Sequence, residues 1–388
     1  MRILHTSDWH IGKRLWNRDR LDEQSAVLDE IVGICEKERV ELVLIAGDIF
    51  DTYTPSAEAE ELFYSKIKKI AGTDRAVLII SGNHDDGVRL SATAPLAVES
   101  GIYIVGNSRA PLPVSTDLTS RIVRPIESGK GYALFENNRG EKAFISTLPY
   151  PNEARFKEEK SELSYIEQMK KWIDESESYK KEGAPSVFMA HIFVAGGVSS
   201  DSEREISLGG ARALPIEALP ASDYIALGHL HKKQKMGKGH CYYSGSPLQY
   251  SFDETSEKSV KIFNLTGVGV EDLRDVPLTS GRKLVRLECS SVADSHTLLE
   301  QYPHSLVELT LHLNEPLTSL EATELSKHKN LVSLLTDVQS QTEFAFESRK
   351  NFSSERLFEE FYRSQYGVDP DDELKELFLQ VMSEIEHS

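Results

Sequence analysis

The sequence predicts an α/β fold through its first two thirds, followed by a small α+β unit and a pair of helices at the end. Three observations carry this. The chain has 388 residues, roughly two to three times what one domain usually holds. From Arg2 to about Asp275, short apolar runs of strand type alternate with stretches of helical period, the order that builds an α/β domain. The composition, 39% hydrophobic and 27% charged, is that of a globular chain and excludes fibrous and disordered classes.

The elements follow in order. Residues 2–5 read as a strand, 21–38 as a helix, 41–46 as a buried strand, 57–70 as a helix and 76–80 as a strand. A less regular stretch follows, with prolines at 111, 113, 125 and 149, and residues 107–185 carry no clear motif. A helix is expected over 162–180, then strands at 186–190, 224–227, 241–244 and 260–265. The turn Pro277-Leu278-Thr279-Ser280-Gly281 marks a boundary. The domains are therefore expected at 1–277, 278–348 and 349–388. In the second, strands at 283–289, 331–338 and 343–346 accompany helices at 292–301 and 317–327, and Val307, Leu309, Leu311 and Leu313 alternate with polar residues as in a half-buried strand. In the third, a helix starting near Ser353 carries Leu357, Phe358, Phe361 and Tyr362. Asp369 caps a second, with Pro370 at its first position and Leu374, Leu377, Phe378, Val381, Met382 and Ile385 on one stripe.

Charge and cysteine usage narrow the function classes. The balance of 44 basic and 62 acidic residues gives −18, which argues against a surface that coats nucleic acid over its whole extent. Two basic clusters stand out: Lys13, Arg14, Arg18 and Arg20, and then Lys232, Lys233, Lys235 and Lys238. Alone they would read as solvated loops. Their position directly after the motifs below makes Lys13, Arg14, Arg18, Arg20, Lys232 and Lys233 candidates for substrate-phosphate contacts. The three cysteines, Cys35, Cys241 and Cys289, show no CxxC spacing, against both a disulfide framework and a cysteine zinc site. No run is long and apolar enough to span a bilayer or to act as a signal peptide, so a soluble cytoplasmic protein with no membrane association is expected.

Five polar clusters each follow an apolar strand: Asp8-Trp9-His10, Gly47-Asp48-Ile49-Phe50-Asp51, Gly82-Asn83-His84-Asp85, Ala190-His191 and Gly228-His229-Leu230-His231. Strand ends are where α/β folds bind ligands. Asp8 and His10, and again His229 and His231, stand two residues apart and point the same way if the strand continues through them. Each cluster has a plain alternative, a turn, a helix cap or a packed histidine pair. All five in one chain are hard to explain that way. Converging carboxylates and imidazoles are costly to bury without a cation. The oxygen and imidazole mixture suits Mn²⁺, Fe²⁺, Co²⁺ or Zn²⁺, and two ions about 3.5–4 Å apart sharing one carboxylate would use every ligand.

The ordered set Asp-x-His, Gly-Asp-x-x-Asp, Gly-Asn-His-Asp, His and Gly-His-x-His resembles the calcineurin-like metallophosphoesterase superfamily. Within it, the strings Ile3 to Gly12, Ala46 to Thr52, Asp223 to His231 and Gly245 to Glu254 are similar to the nuclease subunits of bacterial SbcCD complexes. That resemblance implies a metallophosphoesterase β-sandwich flanked by helices in four layers, a small α+β capping domain and a C-terminal helical hairpin. It implies two divalent metal ions, usually Mn²⁺, with Asp8, His10, Asp48 and His231 on one, Asp48, Asn83, His191 and His229 on the other, and Asp48 bridging. His84 would be the catalytic acid, with Asp85 orienting its ring. It implies DNA as substrate, 3′-to-5′ exonuclease and hairpin endonuclease activity in DNA repair, and a coiled-coil ABC-type ATPase partner held by residues 351–388, as a homodimer within a heterotetramer. Two residues depart from the pattern. Ala190 stands where a Gly commonly precedes the histidine, and Asp51 stands where archaeal relatives tend to have His. The rival class is a small-molecule metallophosphatase or phosphodiesterase of the same superfamily. Against it, Asp51 is followed by Thr52-Tyr53 rather than the Arg-Gly of protein phosphatases, and the added domains have no purpose there. A scaffold without chemistry is disfavoured by the complete ligand set and His84.

Overall fold

The computed structural model describes residues 1–16, 18–107, 111–112, 123–151, 163–203 and 213–338, together with Phe358, Tyr362, Pro370, Leu374, Lys375 and Phe378. Its strands are, in chain order, β1 (Arg2–Thr6), β2 (Leu42–Ala46), β3 (Ala76–Ile80), β4 (Ile102–Val105), β5 (Val123–Gly129), β6 (Tyr132–Asn137), β7 (Lys142–Leu148), β8 (Ser186–His191), β9 (Tyr224–Gly228), β10 (Gln234–Lys235), β11 (Cys241–Tyr243), β12 (Ser259–Thr266), β13 (Gly269–Pro277), β14 (Leu284–Cys289), β15 (Leu306–Leu313) and β16 (Leu331–Val338). They form a six-stranded sheet, β13-β12-β1-β2-β3-β4, a seven-stranded sheet, β10-β11-β9-β8-β7-β6-β5, and a three-stranded sheet, β14-β15-β16.

Side-chain alternation explains why the two large sheets pack. In β2, Leu42, Leu44 and Ala46 face the second sheet while Val43 and Ile45 face the helices. In β8, Val187 and Met189 face the first sheet, and Phe188 and Ala190 face outward. Both faces of these strands are apolar because both are buried, the signature of a parallel sheet covered on each side. Helices α1 (Leu21–Lys37) and α2 (Ala57–Ala71) cover the first sheet through Val27, Ile31, Phe63 and Ile67. The helix Tyr165–Glu177 covers the second through Met169, Trp172 and Ile173. The result is the expected four-layer sandwich.

The neighbours β1, β2, β3 and β4 pair in parallel, as do β7, β8, β9 and β11. Every strand that precedes a polar cluster therefore ends at one rim. Strands β4 to β7, β10 and β13 are additions to the elements expected from the sequence. β5 carries Pro125 and a register shift beside it, which β5 can carry because it is an edge strand.

By compactness the chain separates into Met1–Leu311 with Leu320–Leu335, and His312–Ser319 with Thr336–Ser388. In the first unit, the segment after β13 is tied to α1. The Glu30 carboxylate accepts the backbone N–H of Thr279 and Ser280, each at 2.9 Å, and Glu23 accepts that of Arg282 at 2.6 Å. In the second unit, Phe358, Tyr362, Leu374, Lys375 and Phe378 are helical, and Phe358 stacks on Phe378 with ring centroids 4.2 Å apart. The rest of the predicted hairpin, and the strand expected at 343–346, lie outside the described residues. Among the described residues no helix is long and apolar enough to cross a membrane.

Candidate metal centre

The site is built where two sheets meet at their shared rim. Two glycines permit the approach. A Cβ on Gly228 would lie 1.9 Å from the Ala46 carbonyl oxygen, and one on Gly47 would lie 2.2 Å from His191 Nδ1. Any side chain at either position would hold the walls apart.

Just past the strands the backbone turns into the left-handed region. Seven non-glycine residues among those described have positive φ, and four of them are Asp8, His10, Asp48 and His229. Such backbone costs of order 1–3 kcal/mol per residue and persists where the surroundings hold it. Here Asp8 N–H donates to Gly47 O and His10 N–H to Asp48 O, both at 3.0 Å, which zips the first loop to the second. The spacing argument from a continuing strand is thus corrected: β1 ends at Thr6 and β9 at Gly228, and turns aim these side chains. His229 and His231 do not share a neighbourhood either. His229 Nδ1 lies 2.8 Å from Asn83 Oδ1, whereas His231 Nε2 lies 2.9 Å from His10 Nε2.

The seven expected ligands are all buried and converge around Asp48. Its Oδ2 is 3.4 Å from His10 Nε2 and 3.4 Å from His191 Nε2, between these two imidazoles. Three overlapping groups, Asp8 with His10 and His231, Asp48 with His10 and His84, and Asp8 with Asp48 and His191, each have donor atoms within 4.8 Å of one another. Asn83 Oδ1 accepts from His191 at 2.9 Å. Asp48 Oδ1 accepts the backbone N–H of His84 at 2.8 Å, and Asp8 Oδ1 accepts that of His229 at 2.9 Å.

Burial drives the His10 and His229 imidazoles down to about 3 and the Asp8 carboxyl up to about 6. His191 is the exception. Burial alone would depress it, but Asp48 and Asp8 hold it at about 9, and Asp48 stays well below the usual carboxylate range despite burial because His191 and His10 face it. Two buried carboxylates, Asp8 and Asp48, at the centre of the cluster call for compensating positive charge. The ring nitrogens His10 Nε2 and His231 Nε2 approach to 2.9 Å, and His229 Nδ1 lies 2.8 Å from Asn83 Oδ1 and 3.4 Å from His191 Nε2. Oxygen and imidazole donors without thiolate, around one shared carboxylate, fit two divalent cations.

Three side chains sit elsewhere than the sequence suggests. Asp85 does not set the ring of His84. Its oxygens accept the backbone N–H groups of Ile49, Phe50 and Gly82 at 3.1, 3.0 and 2.8 Å, fastening the second loop to the third. The ring is instead oriented by the Asp51 carbonyl, 2.7 Å from His84 Nδ1. Arg20 is buried, pairs with Glu23 at 2.9 Å and donates to Gln249 O, so it holds the fold and cannot reach a substrate. Arg18 donates to the Lys329 and Leu331 carbonyls. Of the remaining basic candidates, Arg14 is 56% exposed, Lys13 pairs with Asp51, Lys232 with Asp253 and Lys233 with Asp275.

Other residues behind the ligands were not foreseen. The Asp51 carboxylate lies 3.5 Å from His10 Nδ1. Behind His231, Ser202 Oγ contacts Nδ1 and donates to Glu254 Oε1 at 2.6 Å. Glu254 ends the string Gly245 to Glu254, and Tyr250 of the same string places its ring 5.5 Å from that of His10.

Comparison with known proteins agrees with this centre. The profile of the calcineurin-like phosphoesterases matches residues 1–233. The chain is 34% identical to the D component of the SbcCD nuclease of Bacillus subtilis over 100% of its own length and 99% of the relative's. It is 33% identical to that of Rhodobacter capsulatus over 76% and 73% of the two chains, and 27% identical to that of Staphylococcus epidermidis over 94% and 93%. A shared rim of two packed sheets, a centre built for divalent cations and similarity from end to end lead to one assignment: the chain belongs to the calcineurin-like phosphoesterases and, within them, to the family of the SbcCD nuclease D components.

Proposed function

We propose that this chain is a Mn²⁺-dependent DNA nuclease that shortens duplex ends 3′ to 5′ and nicks hairpins and single strands. The observation that carries the reading is the placement of Asp48 between the His10 and His191 imidazoles, in a chain similar over its full length to an SbcCD nuclease D component. Asp8, His10, Asp48 and His231 would hold one ion, and Asp48, Asn83, His191 and His229 the other. When bound, two such ions polarise the phosphodiester and activate water for in-line displacement. The chain's own part is acid chemistry. His84 Nδ1–H donates to Asp51 O, which makes Nε2 the ring atom that exchanges a proton with the leaving 3′-oxygen.

The partners follow the same reading. Residues 351–388 would grip the coiled coil of an SbcC-like ABC-type ATPase, for which the predicted stripe from Leu374 to Ile385 is suited. A second copy of this chain would pack on the apolar face of α2 and the helix Ala94–Ala97. There Leu96 is 76% and Tyr64 38% exposed, and Phe63, Ile67 and Ala97 line a groove. The acidic net charge favours an assembly in which the ATPase supplies much of the DNA-binding surface.

The test is cleavage of end-labelled linear and hairpin duplexes with Mn²⁺, Mg²⁺ or EDTA, with p-nitrophenyl phosphate assayed in parallel. Mn²⁺-dependent shortening of DNA without monoester turnover is the expected result. Monoester turnover with intact DNA would mean that the substrate is a small phosphate ester.

A further inference from the structure

The two halves of the metal centre are backed by different chemistry. On the first half, each histidine faces an acid. Asp51 Oδ1 lies 3.5 Å behind His10 Nδ1, facing it without a hydrogen bond while it pairs with Lys13 at 3.0 Å. Behind His231, Nδ1–H donates to Ser202 Oγ, whose hydroxyl donates in turn to Glu254 Oε1 at 2.6 Å, and Glu254 itself is 3.7 Å from the ring. On the second half, His191 Nδ1–H donates at 2.7 Å to the Ala46 carbonyl, a neutral group, and His229, whose Nδ1 faces the expected ligands Asn83 and His191, has no hydrogen-bond partner at its other nitrogen, Nε2. Among the ligands, the first half has two carboxylates, Asp8 and Asp48; the second has the shared Asp48 and the neutral amide of Asn83.

Glu254 is built for this place. It is fully buried, and its Oε1 also accepts the backbone N–H of Ser251 at 3.1 Å. Lys258 pairs with its other oxygen and donates to the His231 carbonyl at 3.0 Å. The acid is therefore locked, and it locks the histidine. A carboxylate relay behind an imidazole fixes its tautomer, so that Nε2 offers its lone pair, and raises its basicity; loss of such a partner commonly costs 10–100-fold in metal affinity.

We infer that Glu254, acting through Ser202, is the positioning residue of His231, and that with Asp51 behind His10 it makes the Asp8, His10, Asp48 and His231 half the tighter of two unequal cation sites. The inference rests on the two-cation reading above and adds an order of filling to it. At limiting metal the first half fills, and the Asn83, His191 and His229 half fills later.

The experiment is Mn²⁺ titration of the chelator-stripped full chain, followed by calorimetry and by the loss of the free-ion paramagnetic resonance signal. The wild type should take up two ions in two separable steps. Glu254→Gln should weaken the tighter step by about 10-fold or more and leave the weaker step within about 3-fold, with unchanged circular dichroism. Ser202→Ala breaks the relay without leaving a buried charge and should shift the same step in the same direction. It decides the matter if Glu254→Gln does not fold. Two wild-type steps that both variants leave unmoved, or a lowered melting temperature with both affinities intact, would reduce Glu254 to a structural ion pair and overturn the inference. Two equal wild-type steps would overturn the asymmetry. A wild type that binds fewer than two ions would instead bring down the two-cation reading itself.

Discussion

The two large sheets contribute unlike chemistry to one rim. The first brings Asp8, Asp48 and Asn83, with His10 and His84, on the loops after β1, β2 and β3; the second brings only imidazoles, His191, His229 and His231, from β8 and the loop after β9. Among the expected ligands the carboxylates thus sit on one wall, and the other wall offers only ring nitrogens. Neither wall alone can satisfy a pair of cations, so the centre is a property of the interface between sheets.

The severest way to break this division is to remove the charge both halves share. Asp48→Asn should abolish uptake of the second Mn²⁺ and lower DNA cleavage by about 10³-fold or more, several kcal/mol of charge stabilisation; two ions bound with normal affinity would remove Asp48 from the centre. His84 sharpens the comparison, since it belongs to the charged wall without being an expected ligand. His84→Gln should cut cleavage by about 10²–10⁴-fold while Mn²⁺ stoichiometry and affinity stay those of wild type. Full activity would take the proton transfer away from it. The smallest effect concerns the contact between walls. Gly228→Ala forces a Cβ against the Ala46 carbonyl and should destabilise by about 1–3 kcal/mol, seen in calorimetry as a melting point lower by about 2–4 °C per kcal/mol.

What was legible follows from range. The ligands could be read because each ends an apolar strand or follows one within four residues, so a local pattern placed it on a rim. Strands β2, β3 and β8 could be read for the same reason, being continuous apolar runs. β5 and β6 could not: they pair antiparallel at the sheet edge, β5 contains Pro125, and its burial falls away after that residue. A basic cluster does not reveal which member turns inward, as Arg20 does toward Glu23. Adjacency in sequence points Asp85 to its neighbour His84, whereas its partners Ile49 and Phe50 are 36 and 35 residues away. Glu254 reaches Ser202 across 52 residues, and no local pattern announces such a bond. Only its place in the string Gly245 to Glu254 marked that loop.

The pairing of β1 also sets when activity can begin. This strand lies between β2 and β12, with Arg2 opposite Asn264 and His5 opposite Lys261. Residues 2–5 must therefore wait for a strand that ends at Thr266, on the order of tens of seconds at cellular elongation rates. His191, His229 and His231 arrive late in that interval. A chain made only as far as β7 has Asp8 and Asp48 but lacks His191, His229 and His231, and its first strand lacks β12 as a neighbour, so the metal centre is complete only in molecules whose synthesis has passed Thr266.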